Sequence, residues 1–193
     1  MWRGVRLTVA VVALSSALFW DYRAVEAESA GIAPETVADF LHSVIESDRT
    51  FYTIHVVERL QKQGAAVAAE TWRADKTSLP LPAQFLHEAS DLASITGSRV
   101  RYRLMSLWPI NPSNAPASDA ERAALEAVRL QPERAVTGTV QVEGQQYFQA
   151  VYADRAVTQA CVSCHNDHPR SPKKDFKVQD VMGGLVIEIP LNP

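Results

Sequence analysis

Apolar residues recur every three or four positions in the first part of the chain, which is the spacing of one face of an α-helix. From residue 34 to residue 63 this spacing predicts one long amphipathic helix, with Pro34 in its first turn and Gly64 just after its end. The alanine-rich residues 65–72 predict a short helical continuation. Another proline-led helix is predicted over residues 79–97.

The pattern then changes to alternation. Residues 99–106 alternate between basic and apolar side chains, which predicts a half-buried strand with Tyr102 and Leu104 on its inner face. After a proline-rich loop, Ser118 is placed to cap a helix over residues 119–130.

Two further alternating runs, residues 135–142 and 145–153, flank Glu143 and Gly144 and are typical of a β-hairpin. The apolar run at residues 183–191 predicts a last strand. This order of elements predicts an α+β fold, with a long N-terminal helix and further helices packed on one side of an antiparallel sheet.

The N-terminus has the order of a secretory signal. Arg3 and a second arginine precede an apolar run at residues 7–20, and small residues lead up to Ala27. The run is shorter than the roughly 20 residues that a membrane-spanning helix needs. We therefore expect residues 1–27 to be removed and residues 28–193 to form one exported domain, in a bacterial periplasm in the simplest case. Membrane attachment is expected only if the signal stays uncleaved.

Charge and cysteine content narrow the possible functions. The 193-residue chain has a net charge of −3, so no nucleic-acid partner is expected. Its two cysteines, Cys161 and Cys164, form a single C-x-x-C. A disulfide across so small a loop restrains the unfolded chain little, so a redox or cofactor role is favoured over a structural one.

His165 follows the second cysteine directly, and C-x-x-C-H is the signature of covalently bound haem c. In that chemistry each thiol adds to one haem vinyl group, and the adjacent imidazole ligates the iron. The motif therefore predicts Cys161 and Cys164 as thioether anchors and His165 as the proximal ligand. Three alternatives stay open: a thioredoxin-type dithiol, a zinc site that adds His168, and a plain disulfide.

The cysteine segment ACVSCHNDHP and the final strand VMGGLVIEIPL resemble a family of c-type haem proteins with a PAS-like fold. Three other stretches resemble the same family: DRTFYTIHVVERL (48–60), LPLPAQF (79–85) and RLMSLWPINPSNAP (103–116). The resemblance implies a single covalent haem in a PAS-like α+β domain, held by Cys161, Cys164 and His165. It implies no particular activity.

The second axial ligand of the iron is left open by the resemblance. Some relatives use a cysteine on the first long helix, and this chain has no third cysteine. His55 is our first candidate, because it lies in the family-like part of that helix, between Phe51 and Arg59. The other candidates are His42, His87, His168, Met105, Met182 and water.

Two groups of basic residues have alternative roles. Arg99, Arg101 and Arg103 either form the solvated face of their strand or bind haem propionates. Lys173 and Lys174 either belong to a solvated loop or dock an acidic redox partner.

The expected function is one-electron transfer, or sensing of redox state or of a small gas (NO, CO or O₂), through a covalent haem. No constellation of acid–base groups is visible, so we expect a protein that is not an enzyme. The alternative from another class is a thiol–disulfide oxidoreductase that uses Cys161 and Cys164.

Overall fold

A long helix opens residues 31–191, the part of the chain that this computed structural model describes. Helix α1 (Pro34–Phe51) continues into a π-helical segment (Tyr52–Glu58) and then into the short helix α2 (Arg59–Lys62). Gly64, with a φ of 66°, ends the helix in the left-handed conformation that suits glycine. The predicted helix over 34–63 is confirmed. Its π segment, whose hydrogen bonds span five residues, was not predicted.

The alanine-rich stretch that follows is not helical, so the prediction for residues 65–72 is wrong. Strand β1 (Val67–Ala68) pairs in parallel with strand β2 (Ser78–Leu79), and the N–H of Ala69 donates to the carbonyl of Leu79 at 3.0 Å. A helix this short is marginal on its own, even with many alanines. The hydrogen bonds between β1 and β2 therefore set the conformation of this stretch.

The remaining elements follow the predicted order. They are helix α3 (Pro82–Ser94), strand β3 (Arg101–Met105), a 3₁₀ turn (Pro112–Asn114), helix α4 (Asp119–Leu130), strands β4 (Val136–Val142) and β5 (Gln145–Arg155), helix α5 (Gln159–Asp167) and strand β6 (Val181–Pro190). Ser118 caps α4, because its hydroxyl accepts from the N–H of Glu121 at 3.2 Å. Glu143 and Gly144 both have positive φ, 53° and 81°, as a type I′ hairpin turn requires.

The main sheet has the strand order β3-β6-β5-β4, and all neighbouring strands are antiparallel. Strand β6 therefore has a partner on each side. Leu185 and Ile187 point to one face of the sheet and Val186 to the other, and all three are buried. This double burial explains why the last strand is a continuous apolar run rather than an alternating one.

Helices cover both faces of the sheet, so the prediction that they lie on one side is wrong. The α1 face, covered by α1 and α3, includes Ala150, Tyr152, Leu185 and Ile187. The α4 face, covered by α4, includes Met105, Val151 and Val186. Because β5 and β6 carry apolar residues on both sides, each face has to be shielded from water.

The architecture is α+β, as predicted, and it is consistent with a PAS-like domain. From Ile32 onward the chain forms one compact unit. Among the helices of residues 31–191, none combines the length and the apolar character needed to cross a membrane. The predicted signal at residues 1–27 lies outside the described residues.

Candidate functional site

Helix α5 carries the C-x-x-C-H motif. Cys164 and His165 lie three and four residues after Cys161, so the three side chains share one face of the helix. Thr158 precedes the helix in extended conformation, and its hydroxyl lies 3.7 Å from the sulfur of Cys161. Both thiols are free; Cys161 is half-buried and Cys164 is exposed. One side of α5 therefore presents two unbonded sulfurs and an imidazole.

The imidazole of His165, on this face of α5, is half-buried. Burial lowers the pKa of His165, and the carboxylate of Asp154 opposes this effect only in part. The ring packs edge-on against Phe176, with the two ring centroids 6.1 Å apart. No residue between 31 and 191 forms a hydrogen bond with the ring. A neutral imidazole of this kind has a lone pair that can ligate a metal.

Phe176 and Asn166 fix the position of α5. The side-chain amide of Asn166 donates to the carbonyl of Phe176, and its oxygen accepts from the N–H of Phe176, both at 3.0 Å. The Phe176 side chain is buried with Val162 and Met182 beneath the helix. This double hydrogen bond lies next to His165 and orients it. Sequence patterns gave no sign of it, because it joins a helix to a loop whose path is set by the fold.

Glu70, from the loop between β1 and β2, holds the end of α5. Nη2 of Arg170 lies 2.6 and 2.7 Å from the two carboxylate oxygens of Glu70, and Nε2 of His168 lies 3.8 Å from one of them. His168 thus faces a carboxylate. The described part of the chain contains no group of three His, Cys, Asp or Glu side chains in an arrangement that could hold a metal ion.

His55 lies in the wall of an open groove. Its ring is exposed on the π segment and contacts the ring of Phe51, with the centroids 4.8 Å apart. The groove has a volume of about 670 Å³, within the range of about 300–1,000 Å³ typical of cofactor sites. α1 and the π segment form most of its wall. Val157, one residue before the N-cap Thr158 of α5, also lines the groove. The two thiols and His165 lie outside its lining.

His42 lines the same groove but is engaged in other contacts. Its ring stacks on the ring of Tyr152 at a centroid distance of 4.0 Å, and its Nε2 lies 3.0 Å from the carboxylate of Glu46. The Tyr152 hydroxyl donates to Asp39 at 2.8 Å. The candidate ligand His42 is therefore half-buried and already has two partners. Of the two groove histidines, His55 is the one whose ring is not paired with a carboxylate of the described residues.

Of the other predicted ligands and arginines, some are buried or paired within the fold and others are exposed. Met105 is buried on the α4 face, and Met182 is buried beneath α5. On the α4 face Arg101 pairs with Glu188 at 3.8 Å, and Arg103 pairs with Glu121. His87 is exposed on α3, and Arg99 is exposed before β3. Among the described arginines, Arg49 is the one whose charge lowers the pKa of His165, and sequence patterns did not indicate it.

Lys173 and Lys174, predicted as a pair, differ in their surroundings. The ammonium of Lys173 lies 5.4 Å from the ring centroid of Trp108 and 4.9 Å from that of Phe176, and it forms an ion pair with Asp175. Lys173 is thus part of the aromatic packing beneath α5. Lys174 is exposed.

Sequence and fold comparisons agree on the relatives of this chain. The sequence matches the profile of the Tll0287-like family over residues 27–190. The fold is similar to a solved structure described as that of the cyanobacterial haem protein Tll0287, with a TM-score of 0.50 and 14% sequence identity, over 83% of this chain and 98% of that chain. At that identity the structural similarity shows the fold alone. No protein of curated function matches the sequence significantly. Because the family profile spans most of the sequence, the chain belongs to the Tll0287-like family, which confirms the resemblance inferred from its motifs.

Proposed function

We propose that this protein binds one covalent haem of the c type through Cys161 and Cys164, with His165 as the proximal ligand of the iron. The observation that carries the proposal is that α5 holds two free thiols and a neutral imidazole at the spacing of one helix face. Membership of the Tll0287-like family supports it, as does the similar fold of a protein described as a haem protein.

The residues around α5 fit such a group. The thiols are accessible, His165 has a free ring nitrogen, and the groove that begins at Val157 offers a volume suited to a cofactor. When bound, haem supplies an iron that exchanges one electron or binds a diatomic gas. The chain orients the ligand through Phe176 and Asn166, and it brings His55 to the wall of the neighbouring groove.

The biological role we propose is one-electron transfer, or sensing of redox state or of NO, CO or O₂, and not enzymatic catalysis. His55 is the proposed second axial ligand, because its exposed ring is free to turn within the groove. Two protein ligands favour electron transfer or redox sensing, whereas an open position favours gas binding. The site of action is outside the cytoplasm, in a periplasm or its equivalent, where haem of this type is attached.

A thiol–disulfide oxidoreductase is the second candidate. Cys161 lies in the first turn of α5, where such enzymes place a reactive thiol. Burial raises the pKa of Cys164, and the neighbouring Cys161, Glu70 and Asp167 act in the same direction. A dithiol enzyme gives no role to the adjacent His165 or to the similarity to a protein described as a haem protein, so the haem proposal accounts for the site better.

The test is the full-length protein, purified after export from a host that matures c-type cytochromes. We expect a pyridine haemochrome spectrum, and a mass that exceeds the polypeptide by one haem after denaturation. A variant with Cys161→Ser and Cys164→Ser is the matched control, and it should lack haem while retaining its circular dichroism. A colourless wild-type protein, or haem that separates on denaturation, would contradict covalent attachment.

The spectrum of the reduced protein with and without CO then separates the two roles. Rapid CO uptake would support gas sensing, and an unchanged spectrum would support electron transfer or redox sensing with two protein ligands.

A further inference from the structure

A mostly buried ion pair lies between the long helix and the strand that leads into α5. The guanidinium of Arg49, near the end of α1, pairs with the carboxylate of Asp154, near the end of β5. Their side chains are only 14% and 13% exposed. Burial is the main influence on the pKa of His165; among the other influences, Asp154 raises that pKa and Arg49 lowers it. Both charges therefore act on the proposed iron ligand, with opposite sign.

Each member of the pair is tied to one side of the candidate site. On the helix side, the carbonyl of Arg49 accepts a hydrogen bond from the buried hydroxyl of Thr53 at 2.7 Å, two residues before His55. The pair thus fixes the start of the π segment against the sheet.

On the strand side, Asp154 lies at a register shift in the pairing of β5 with β6. Buried Ala156 lies two residues after Asp154. Its N–H donates to the carbonyl of Asp180 and its carbonyl accepts from the N–H of Gln179, each at 2.9 Å. Two residues later Thr158 precedes α5. The ion pair therefore connects the segment that carries His55 with the one that carries Cys161 and His165.

Stability alone does not explain why this contact is charged. Removing two charges from water costs about as much as their attraction returns, and a well-packed apolar pair is often as stable. The charges do have an effect that an apolar pair lacks, because the pair joins the two segments that flank the site and its members act on His165 with opposite sign. The loss of one would leave a net charge in a poorly screened place.

We propose that Arg49 and Asp154 are positioning residues of the haem site, and that their mutual neutralisation sets the ferric–ferrous equilibrium of the iron. This inference rests on the proposed function. The step concerned is the transfer of one electron from an external one-electron donor to ferric iron, in which no bond forms or breaks. Ferric iron carries one more positive charge than ferrous iron, so nearby positive charge favours the ferrous state and nearby negative charge favours the ferric state.

The experiment is a spectroelectrochemical titration of the haem-loaded full chain and three variants. Asp154→Asn leaves Arg49 unpaired and should favour the ferrous state. Arg49→Gln leaves Asp154 unpaired and should favour the ferric state. For any charge separated from the iron by on the order of 10 Å, at an effective dielectric constant of about 20, the equilibrium changes by roughly tenfold, which is about 59 mV for one electron. The double variant should return close to the wild-type value.

The opposite signs distinguish this role from a structural one, because simple loosening of the site would move both single variants in the same direction. Arg103→Gln and Glu121→Gln, which break the ion pair on the α4 face, are the matched controls and should leave the potential unchanged. Arg49→Lys keeps the charge and should stay near the wild-type potential. If Asp154→Asn does not fold, the contrast between Arg49→Gln and Arg49→Lys decides.

Shifts of equal sign, no shift, or an equal shift in the control pair would overturn the inference while leaving the haem proposal intact. A colourless wild-type protein would overturn both.

Discussion

The two faces of the sheet differ in the space beside them, although both combine apolar packing with polar contacts. On the α4 face, Leu125 and Val128 pack against Val151 and Val186 in a closed layer, and beside it Arg103 pairs with Glu121 and Gln149 donates to Glu188. On the α1 face, apolar packing is joined by the Tyr152–Asp39 hydrogen bond, the stacked His42 ring and the Arg49–Asp154 ion pair. The groove beside His55 opens along the same helix.

This difference suggests that the α4 face contributes mainly to stability and the α1 face mainly to the candidate site. A closed apolar face gains most of its stabilisation from burial and leaves no room for a ligand. Helix α1 instead leaves large apolar residues exposed, among them Phe40, Val44 and Phe51, while fixing its position through polar contacts. The π segment within this helix is of a kind often found at functional sites. We therefore expect substitutions on the α4 face to change mainly stability, and substitutions on the α1 face to change mainly the site.

The largest loss of stability is expected from Leu125→Ala. Leu125 is 2% exposed and lies against Val151 and Gly184. Truncation would leave a cavity and cost about 2–5 kcal/mol of unfolding free energy, which urea denaturation measures. The ultraviolet–visible spectrum of the folded haem protein should not change.

Phe40→Ala is the matched control for that substitution. It removes a larger side chain, but one that is 63% exposed on α1, so the loss should stay below about 1 kcal/mol. Equal losses for the two variants would show that the faces do not differ in the way described.

A smaller loss is expected from Tyr152→Phe on the α1 face. Burial raises the pKa of the Tyr152 hydroxyl, and its hydrogen bond to Asp39 and the negative charge there raise it further, so it stays a donor. Its removal should cost about 0.5–1.5 kcal/mol by thermal unfolding, because Asp39 is exposed and can be solvated again. Tyr102→Phe tests the same face at a hydroxyl with no hydrogen bond to any described residue. It should be close to neutral, and a similar cost there would contradict a specific role for the Tyr152 bond.

The contrast between the faces also explains what the sequence could and could not predict. The α+β class, the last strand and the haem signature follow from local patterns, but helix α5, which gives Cys161, Cys164 and His165 a shared face, was not predicted. The amphipathic stripe of α4 predicts that it packs, but not against which face of the sheet. The α1 face depends on long-range polar contacts. Arg49 and Asp154 lie 105 residues apart, so no local pattern could pair them.

His55→Ala should hardly change stability but should change the spectrum. The ring is exposed, and its aromatic contact among residues 31–191 is with Phe51, so the expected effect on unfolding is within about 0.5 kcal/mol. If His55 ligates the iron, its loss shifts the Soret band. His87→Ala removes another exposed histidine, on α3, and should leave the spectrum unchanged. An unchanged Soret band in His55→Ala would remove this residue from the coordination sphere.

The smallest effect we expect is a pH dependence at Glu46, on the groove side of α1. The hydrogen bond from His42 lowers the pKa of Glu46, with further help from the charges of His42, Arg49 and Arg155, and burial opposes them. The folded-state pKa thus lies below 4.5, the ordinary value, so the unfolded chain binds more protons between the two values. The stabilisation from Glu46 is complete above pH 4.5 and is lost as the pH falls through the folded-state pKa.

The Glu46→Gln variant lacks this stabilisation. Its melting temperature should therefore differ most from that of the wild type above pH 4.5, and the difference should become smaller as the pH decreases. His42→Phe keeps a ring on Tyr152 but removes the donor, and it should behave in the same way. A difference that stays constant from pH 7 to pH 3.5 would mean that the His42–Glu46 contact adds nothing to the polar attachment of α1.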